Sequence, residues 1–154
     1  MTFHTAELKF ERSFDISPSR LWHLLTDGEM REAWGAPSED MVLHMEVSDL
    51  REGGFERHRC GPKENPEFII ETRWYKLVDQ EGACYSETLL IGEESHFTSL
   101  VTYGLSQTES GTDLDVTVAV TAFGEEGMIG EVQGGWEGGL ASLVKLAAAE
   151  NAPA

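Results

Sequence analysis

The feature that most constrains the fold is a run of six strand-like segments between Met41 and Phe123, followed by one long amphipathic helix. The segments are rich in Val, Ile, Thr, Tyr and Phe, and turn-forming residues separate them about every ten residues. Segments spaced this closely pair with their neighbours in an antiparallel sheet. The pattern predicts strands at about 41–48, 53–60, 67–78, 83–91, 96–107 and 112–123.

The N-terminal region predicts one further strand and two short helices. Apolar residues alternate with polar ones from Leu8 to Ile16, which is the period of a half-buried strand. Ser17 can cap a helix whose first position is Pro18, a residue without an amide proton to leave unpaired. A second short helix is expected from Glu29 to Trp34.

The last helix carries a single apolar stripe and must lie on the sheet. Its stripe consists of Ile129, Val132, Trp136, Leu140, Leu143, Val144 and Ala147. Glycines interrupt it, each at a cost of up to about 1 kcal/mol relative to alanine. Either the helix backbone approaches the sheet closely or kinks there, or the glycines leave space for a ligand. These glycines are Gly130, Gly134, Gly135, Gly138 and Gly139.

The length of 154 residues and the 40% hydrophobic content predict one domain over residues 1–154, with a structured core at about 8–148. The net charge of −17 makes nucleic acid and anionic membranes poor partners. Without a spanning apolar run or a signal-like N-terminus, we expect a cytoplasmic location. The sequence leaves open whether the chain forms a homodimer.

Motifs for the common catalytic and cofactor sites are missing from the sequence. It contains no GxSxG, HExxH or phosphate-loop motif and no GxGxxG. Cys60 and Cys84 are far apart, and the five histidines are isolated from one another. We therefore predict no catalytic residue, no metal and no cofactor.

Four residues of the predicted strands are candidates for contacts with a small molecule. Trp74 either stacks on a planar ligand or fills the core, and Tyr103 either offers its hydroxyl to a cavity or is satisfied by backbone. Glu87 is either a buried acid or base, or a surface carboxylate. Arg57 either fixes a carboxylate ligand or pairs with surface acids.

Four pieces of the sequence carry a family resemblance. They are the block from Ser17 to Asp27 with its following helix, the Asp49–Gly54 hairpin, the Gly111-Thr112 turn and the Gly135-Trp136 helix signature. In order and spacing they resemble the Activator of Hsp90 ATPase homologue-like (AHSA-type) family of the START-like SRPBCC superfamily.

The resemblance implies an α+β helix-grip fold, in which a curved antiparallel seven-stranded sheet surrounds a long C-terminal helix in the order β-α-α-β6-α. The same resemblance implies a hydrophobic pocket between sheet and helix. Trp34 and Trp136 match recurring family positions, at which they would close the cavity and anchor the helix. Gly35 stands where a second aromatic often follows Trp34, which widens the expected pocket mouth.

The leading hypothesis is a small-molecule-binding protein for an apolar or amphipathic ligand, in which Trp34, Trp74, Tyr103 and Trp136 line the cavity and Arg57 anchors a polar group. Two alternatives remain. A cavity-based enzyme, cyclase or hydrolase-like, needs two convergent titratable groups. A chaperone ATPase-activator-like module would act through its surface. The candidates for the convergent pair are Glu87, His96, His58 and Tyr103.

Overall fold

The computed structural model describes residues 2–150 and has the predicted order of elements. Two short helices follow the first strand, six strands come next, and a long helix ends the described region. The elements are β1 (Phe3–Phe14), α1 (Pro18–Thr26), α2 (Gly28–Trp34), β2 (Met41–Val47), β3 (Phe55–Pro62), β4 (Phe68–Val78), β5 (Gly82–Ile91), β6 (Glu94–Gln107), β7 (Thr112–Phe123) and α3 (Gly127–Glu150).

The seven strands form one curved antiparallel sheet in the order β1-β7-β6-β5-β4-β3-β2. Strands β2 to β7 therefore follow one another as a meander, and β1 pairs with the last strand. Phe3 lies opposite Phe123 and Phe14 lies opposite Thr112, so β1 pairs along its whole length. This pairing explains why β1 begins at Phe3, five residues before the predicted start at Leu8. The helix-grip fold is confirmed.

Side-chain caps set the starts of the two short helices. The Ser17 side chain accepts a hydrogen bond from the Arg20 amide at 3.1 Å, as its place before Pro18 predicts. Asp27 caps the second helix by accepting from the Met30 amide at 3.2 Å, so this helix begins at Gly28. Within residues 2–150, no helix combines the length and the apolar character that crossing a bilayer requires.

A continuous part of the buried core lies between β7 and α3. Every second residue of β7 points to the concave face and is buried, while the intervening residues are polar or more exposed. The helix packs against β1, β7 and α2, and its own contribution includes Leu140 and Leu143. The buried apolar residues of β7 are Leu114, Val116, Val118, Val120 and Ala122.

The width of the sheet exceeds what one helix can cover. Seven strands at about 4.8 Å spacing span roughly 30 Å, whereas a helix with its side chains is about 10–12 Å wide. Because α3 packs over β1 and β7, and α1 has its main strand contacts with β6, part of the concave face stays half-buried, as at Ile70 on β4 and Leu89 on β5. The uncovered space therefore lies over β3 to β6.

The glycines of α3 serve two purposes. A Cβ on Gly138 would come within 2.1 Å of the Pro37 carbonyl oxygen, so only glycine allows this approach. The close contact is with the loop after α2, not with the sheet as the sequence suggested. A Cβ on Gly134 would meet nothing within 4 Å, because Gly134 borders an open space.

Candidate functional site

A cavity of about 560 Å³ lies between the concave face of β3 to β6, the first half of α3 and the loop after α2. Its size falls within the range of about 300–1,000 Å³ that is common for small-molecule sites. The lining is mostly apolar, with a few polar groups. The lining residues are Arg31, Trp34, Gly35, Pro37, Ser38, Met41, Leu43, His58, Cys60, Phe68, Ile70, Tyr85, Glu87, Leu89, Phe97, Tyr103, Met128, Glu131, Val132, Gly134, Gly135, Trp136 and Gly139.

The alternation of side chains along each strand determines which residues form the apolar floor of the cavity. His58 on β3, Ile70 on β4, Leu89 on β5 and Phe97 on β6 lie opposite one another in adjacent strands, so they form one row across the concave face. Ile70, Leu89 and Phe97 are only half-buried, although they lie inside the sheet. Their remaining accessible surface faces the cavity.

A buried ion pair closes one end of this floor. The Arg31 guanidinium on α2 donates a hydrogen bond to Oε1 of Glu56 on β3, and both side chains are almost fully shielded from solvent. Glu56 Oε1 also accepts from Trp74 Nε1 at 2.9 Å, while Oε2 accepts from Ser48 Oγ at 3.0 Å and from the Asp49 amide at 3.2 Å. Four donors therefore compensate the Glu56 carboxylate for its lost hydration.

Arg31 has two further neighbours. Its guanidinium carbon lies 5.3 Å from the centre of a Trp74 ring, within range of a cation–π interaction. Its Nη2 lies 3.3 Å from His58 Nε2. Because arginine only donates, Nε2 accepts and the histidine proton sits on Nδ1. Burial and the nearby Arg31 charge lower the pKa of His58 to about 3, so the ring is neutral at physiological pH.

Two tyrosines form a second polar group of the cavity. Their hydroxyls, on Tyr85 and Tyr103, are 2.8 Å apart, so each satisfies the other. Burial raises the pKa of Tyr103 to about 12 and the pKa of Tyr85 well above its usual value of 10, so both keep their protons. The hydrogen bond uses one of the two protons, and the other remains available to a bound molecule.

Glu87 lies in a row of polar residues that crosses the concave face. In this polar row, Glu56 on β3 lies opposite Thr72 on β4, Thr72 opposite Glu87 on β5, and Glu87 opposite Ser99 on β6. Glu87 lines the cavity, and no residue of the described chain donates a hydrogen bond to its carboxyl group. Burial raises the pKa of Glu87 to about 7 against the opposing effect of the Arg31 charge.

The hydroxyls on either side of Glu87 are also unsatisfied. Thr72 Oγ1 and Ser99 Oγ are buried, and within residues 2–150 neither has a hydrogen-bond partner. Residues opposite each other in neighbouring strands have their Cβ atoms about 5 Å apart. The middle of the polar row thus holds three polar groups to which the described residues supply no side-chain hydrogen bond.

Four of the six residues proposed from the sequence line the cavity, namely Trp34, Glu87, Tyr103 and Trp136. Trp34 is fixed by a 2.7 Å hydrogen bond from its Nε1 to the Leu24 carbonyl oxygen. Trp136 on α3 stacks on Phe10 of β1, with ring centres 6.2 Å apart, which anchors the helix as expected. The contacts that a ligand would make with these residues stay a prediction.

The other two residues lie elsewhere. Trp74 is fully buried and lies beneath Arg31, so it fills the core and orients the ion pair without lining the cavity. The expectation that Arg57 faces the cavity is wrong, because alternation in β3 turns it outward. Its Nε lies 3.2 Å from Glu46 Oε1 on the outer face, as in the alternative reading of surface pairing.

Sequence reasoning missed the arginine that does reach the cavity. Arg31 precedes Trp34 by three residues, a spacing that places both on the same face of α2. The buried face of β3 likewise carries Glu56 and His58, which alternate with the outward Arg57. Two spacings in the sequence carry this information when they are considered together. They are the three-residue helical spacing of Arg31 and Trp34 and the two-residue strand spacing of Glu56 and His58.

The described chain shows no cluster suited to a metal ion. Across residues 2–150, no group of three or more His, Cys, Asp or Glu side chains is placed to hold one. Cys60 lines the cavity, and burial raises the pKa of its thiol to about 11, so the thiol is protonated at neutral pH. A thiol in that state is a poor nucleophile.

Solved structures share this fold over almost their whole length. An uncharacterised protein from Rhizobium leguminosarum is 20% identical with a TM-score of 0.81, covering 95% of this chain and 96% of that chain. A protein from Rhizobium loti is 25% identical with a TM-score of 0.79, covering 94% and 99%. The AHSA1 protein from Silicibacter pomeroyi is 18% identical with a TM-score of 0.77, covering 95% and 100%.

Comparison at the level of sequence identifies the family. No curated protein matches the chain significantly. The family profile described as Activator of Hsp90 ATPase homolog 1-like protein matches residues 15–148, which include every element from α1 to β7 and nearly all of α3. The chain therefore belongs to the Activator of Hsp90 ATPase homolog 1-like family.

Proposed function

We propose that this protein binds a small apolar or amphipathic molecule in the cavity between the sheet and α3. The observation that carries the proposal is a space of about 560 Å³ whose lining is mostly apolar and whose few polar groups converge on one region. Such a combination is typical of sites that take small molecules. Half-buried side chains such as Leu89 and Phe97 would gain further burial from a ligand.

Native mass spectrometry and thermal-shift screening against lipids and aromatic metabolites test the proposal. Leu89→Trp places a larger side chain into the cavity, so we expect ligand binding to fall at least about tenfold while the protein stays folded. Leu100→Trp on the exposed outer surface is the matched control. Equal binding by wild type and Leu89→Trp, or no binding across the screen, would count against the cavity as the site.

The two alternatives lack a comparable observation. Within residues 2–150, no hydrogen bond joins any two of Glu87, His96, His58 and Tyr103, the pairs that an enzyme hypothesis requires; Tyr103 and His58 bond instead to Tyr85 and Arg31. The chaperone hypothesis rests on the description of the family. A pulldown that recovers no chaperone would remove it.

A further inference from the structure

The charges inside the cavity are not evenly compensated. Arg31 has Glu56 as a buried counter-ion, and its guanidinium also contacts His58 and Trp74. Glu87 has no hydrogen-bond donor within residues 2–150, although it lines the same cavity. A bound molecule would therefore meet one neutralised cation and one carboxyl group that still lacks a partner.

The hydroxyl groups beside Glu87 are suited to an ionised Glu87 carboxylate that pairs with a cationic ligand. Thr72 Oγ1 and Ser99 Oγ flank it without hydrogen-bond partners among the described residues. Each hydroxyl can donate to an ionised Glu87, and each can also accept from a ligand. Hydrogen bonds of this kind favour the charged form of a carboxyl group.

The walls of the cavity also favour a positive group. Six aromatic side chains line it, and the faces of aromatic rings attract cations. Glu131 lies on α3 where the cavity meets solvent, and it adds negative charge to the approach. The whole chain carries a net charge of −17, which raises the local concentration of cations. The six aromatic residues are Trp34, Phe68, Tyr85, Phe97, Tyr103 and Trp136.

We propose that the cavity selects an amphipathic organic cation, such as an arylalkyl amine, whose charged nitrogen lies beside Glu87. This inference rests on the proposed function and narrows it to one class of ligand. An anionic ligand would face Glu87 and Glu131, while the nearby Arg31 already has its counter-ion. A neutral ligand of the same shape would leave the Glu87 carboxyl without an ionic partner.

The proposal predicts a dependence of binding on pH. The amine pairs with ionised Glu87, whose pKa is raised to about 7, so binding strengthens as pH rises through that value. The pKa values of His58, Cys60 and Tyr103 are about 3, 11 and 12, outside the range tested. The titratable and charged groups that line the cavity with Glu87 are Arg31 on α2, His58 and Cys60 on β3, Tyr85 on β5, Tyr103 on β6 and Glu131 on α3.

Three probes with one apolar body separate the effect of charge from the effect of shape. Phenylbutylamine, phenylbutanol and 5-phenylpentanoate share a phenylbutyl body and differ only in their positive, neutral and negative ends. Isothermal titration of the wild-type protein should give at least about tenfold tighter binding for the amine than for the alcohol, and the weakest binding for the carboxylate. Between about pH 5.5 and pH 8, binding of the amine should strengthen at least about tenfold while binding of the alcohol stays constant.

Variants assign the effect to one carboxyl group. Glu87→Gln should remove the advantage of the amine and its pH dependence, while phenylbutanol still binds. Glu11→Gln, an exposed residue of β1, makes the same change in net charge away from the cavity and should bind like wild type. Glu131→Gln tests the mouth and should weaken amine binding by less than Glu87→Gln.

The outcomes are distinguishable. Amine selectivity that disappears in Glu87→Gln supports the proposal. Equal or tighter binding of the alcohol or the carboxylate by wild type overturns it but leaves a small-molecule cavity, and so does amine selectivity that persists in Glu87→Gln. Failure of all three probes to bind counts against the proposed function itself. If Glu87→Gln does not fold, the probe series and the pH series on wild type still decide.

Discussion

The two halves of the concave face are held together in different ways. On the side of β1 and β7, α3 covers the sheet, and residues such as Val118 and Leu143 are fully buried. On the side of β3 to β5, apolar residues such as Ile70 and Leu89 stay half-buried, and a buried ion pair between Arg31 and Glu56 supplies the contact with α2. The half at β1 and β7 is a packed core. The half at β3 to β5 is open to a cavity, and the buried Arg31–Glu56 pair that borders this cavity is called the polar frame below.

The polar frame should show the largest effect of a single substitution. Glu56→Gln leaves the Arg31 charge buried without its counter-ion, so we expect a loss of about 3–5 kcal/mol in the free energy of unfolding. Glu46→Gln breaks contacts with Arg57 and Arg59 on the outer face, and these exposed pairs are worth about 0–1 kcal/mol. Urea denaturation of both variants measures the difference. Similar losses would mean that the buried pair does not hold the open half together.

Truncation of leucines compares the two halves directly. Leu143→Ala removes a fully buried side chain from the packed half and should cost about 2–5 kcal/mol. Leu89→Ala enlarges a space that already exists, and because fewer contacts are lost it should cost about 1 kcal/mol or less. The same denaturation experiment applies. A larger loss for Leu89→Ala would contradict the distinction between packed core and open cavity.

The glycines of α3 should respond in opposite directions. Gly138→Ala brings a methyl group against the Pro37 carbonyl oxygen and should destabilise by about 1–3 kcal/mol. Gly134→Ala meets nothing within 4 Å and should stabilise the helix by up to about 1 kcal/mol. Thermal unfolding of the pair checks the signs. Stabilisation by Gly138→Ala would show that the loop can move away from α3.

The pH dependence of stability originates in the open half. The pKa of Glu87 is raised to about 7 in the folded protein from an ordinary value of 4.5, so the folded state binds the extra proton between these values. Its contribution to stability is therefore complete below about pH 4.5 and is lost as pH rises towards 7. Glu87→Gln should flatten this part of the stability profile in denaturation series. An unchanged profile would place the carboxyl in contact with solvent.

Much of the fold was predictable because it rests on local patterns. Alternation predicted the strands, the Ser17-Pro18 pair predicted the first helix, and the periodic apolar stripe predicted α3. Boundaries shifted where a partner or a cap decided them, as at Phe3, which pairs with Phe123, and at Gly28, which follows its cap Asp27. These shifts depend on pairing and capping that become visible only in three dimensions.

The site was less predictable because it depends on which face of each strand is concave. Arg57 and its neighbour Glu56 lie on opposite faces of β3, so only one of them can face the cavity. The sequence alone is compatible with either residue on the concave face. Arg31 reaches the cavity only because α2 lies against that end of the sheet. For Glu87 the sequence supports both a buried and a surface position, since nothing near it in the sequence indicates that a cavity lies above β5.

The central claim is that the open half of the concave face binds a small molecule. A titration with each of the three probes in turn, followed by amide and indole chemical shifts, tests it most directly. We expect saturable shifts at residues around Glu87, Tyr103 and Gly134, with Val118 and Arg57 nearly unchanged. Saturable shifts confined to the outer face around Glu46 and Arg57, or no saturable shifts at any pH, would contradict it.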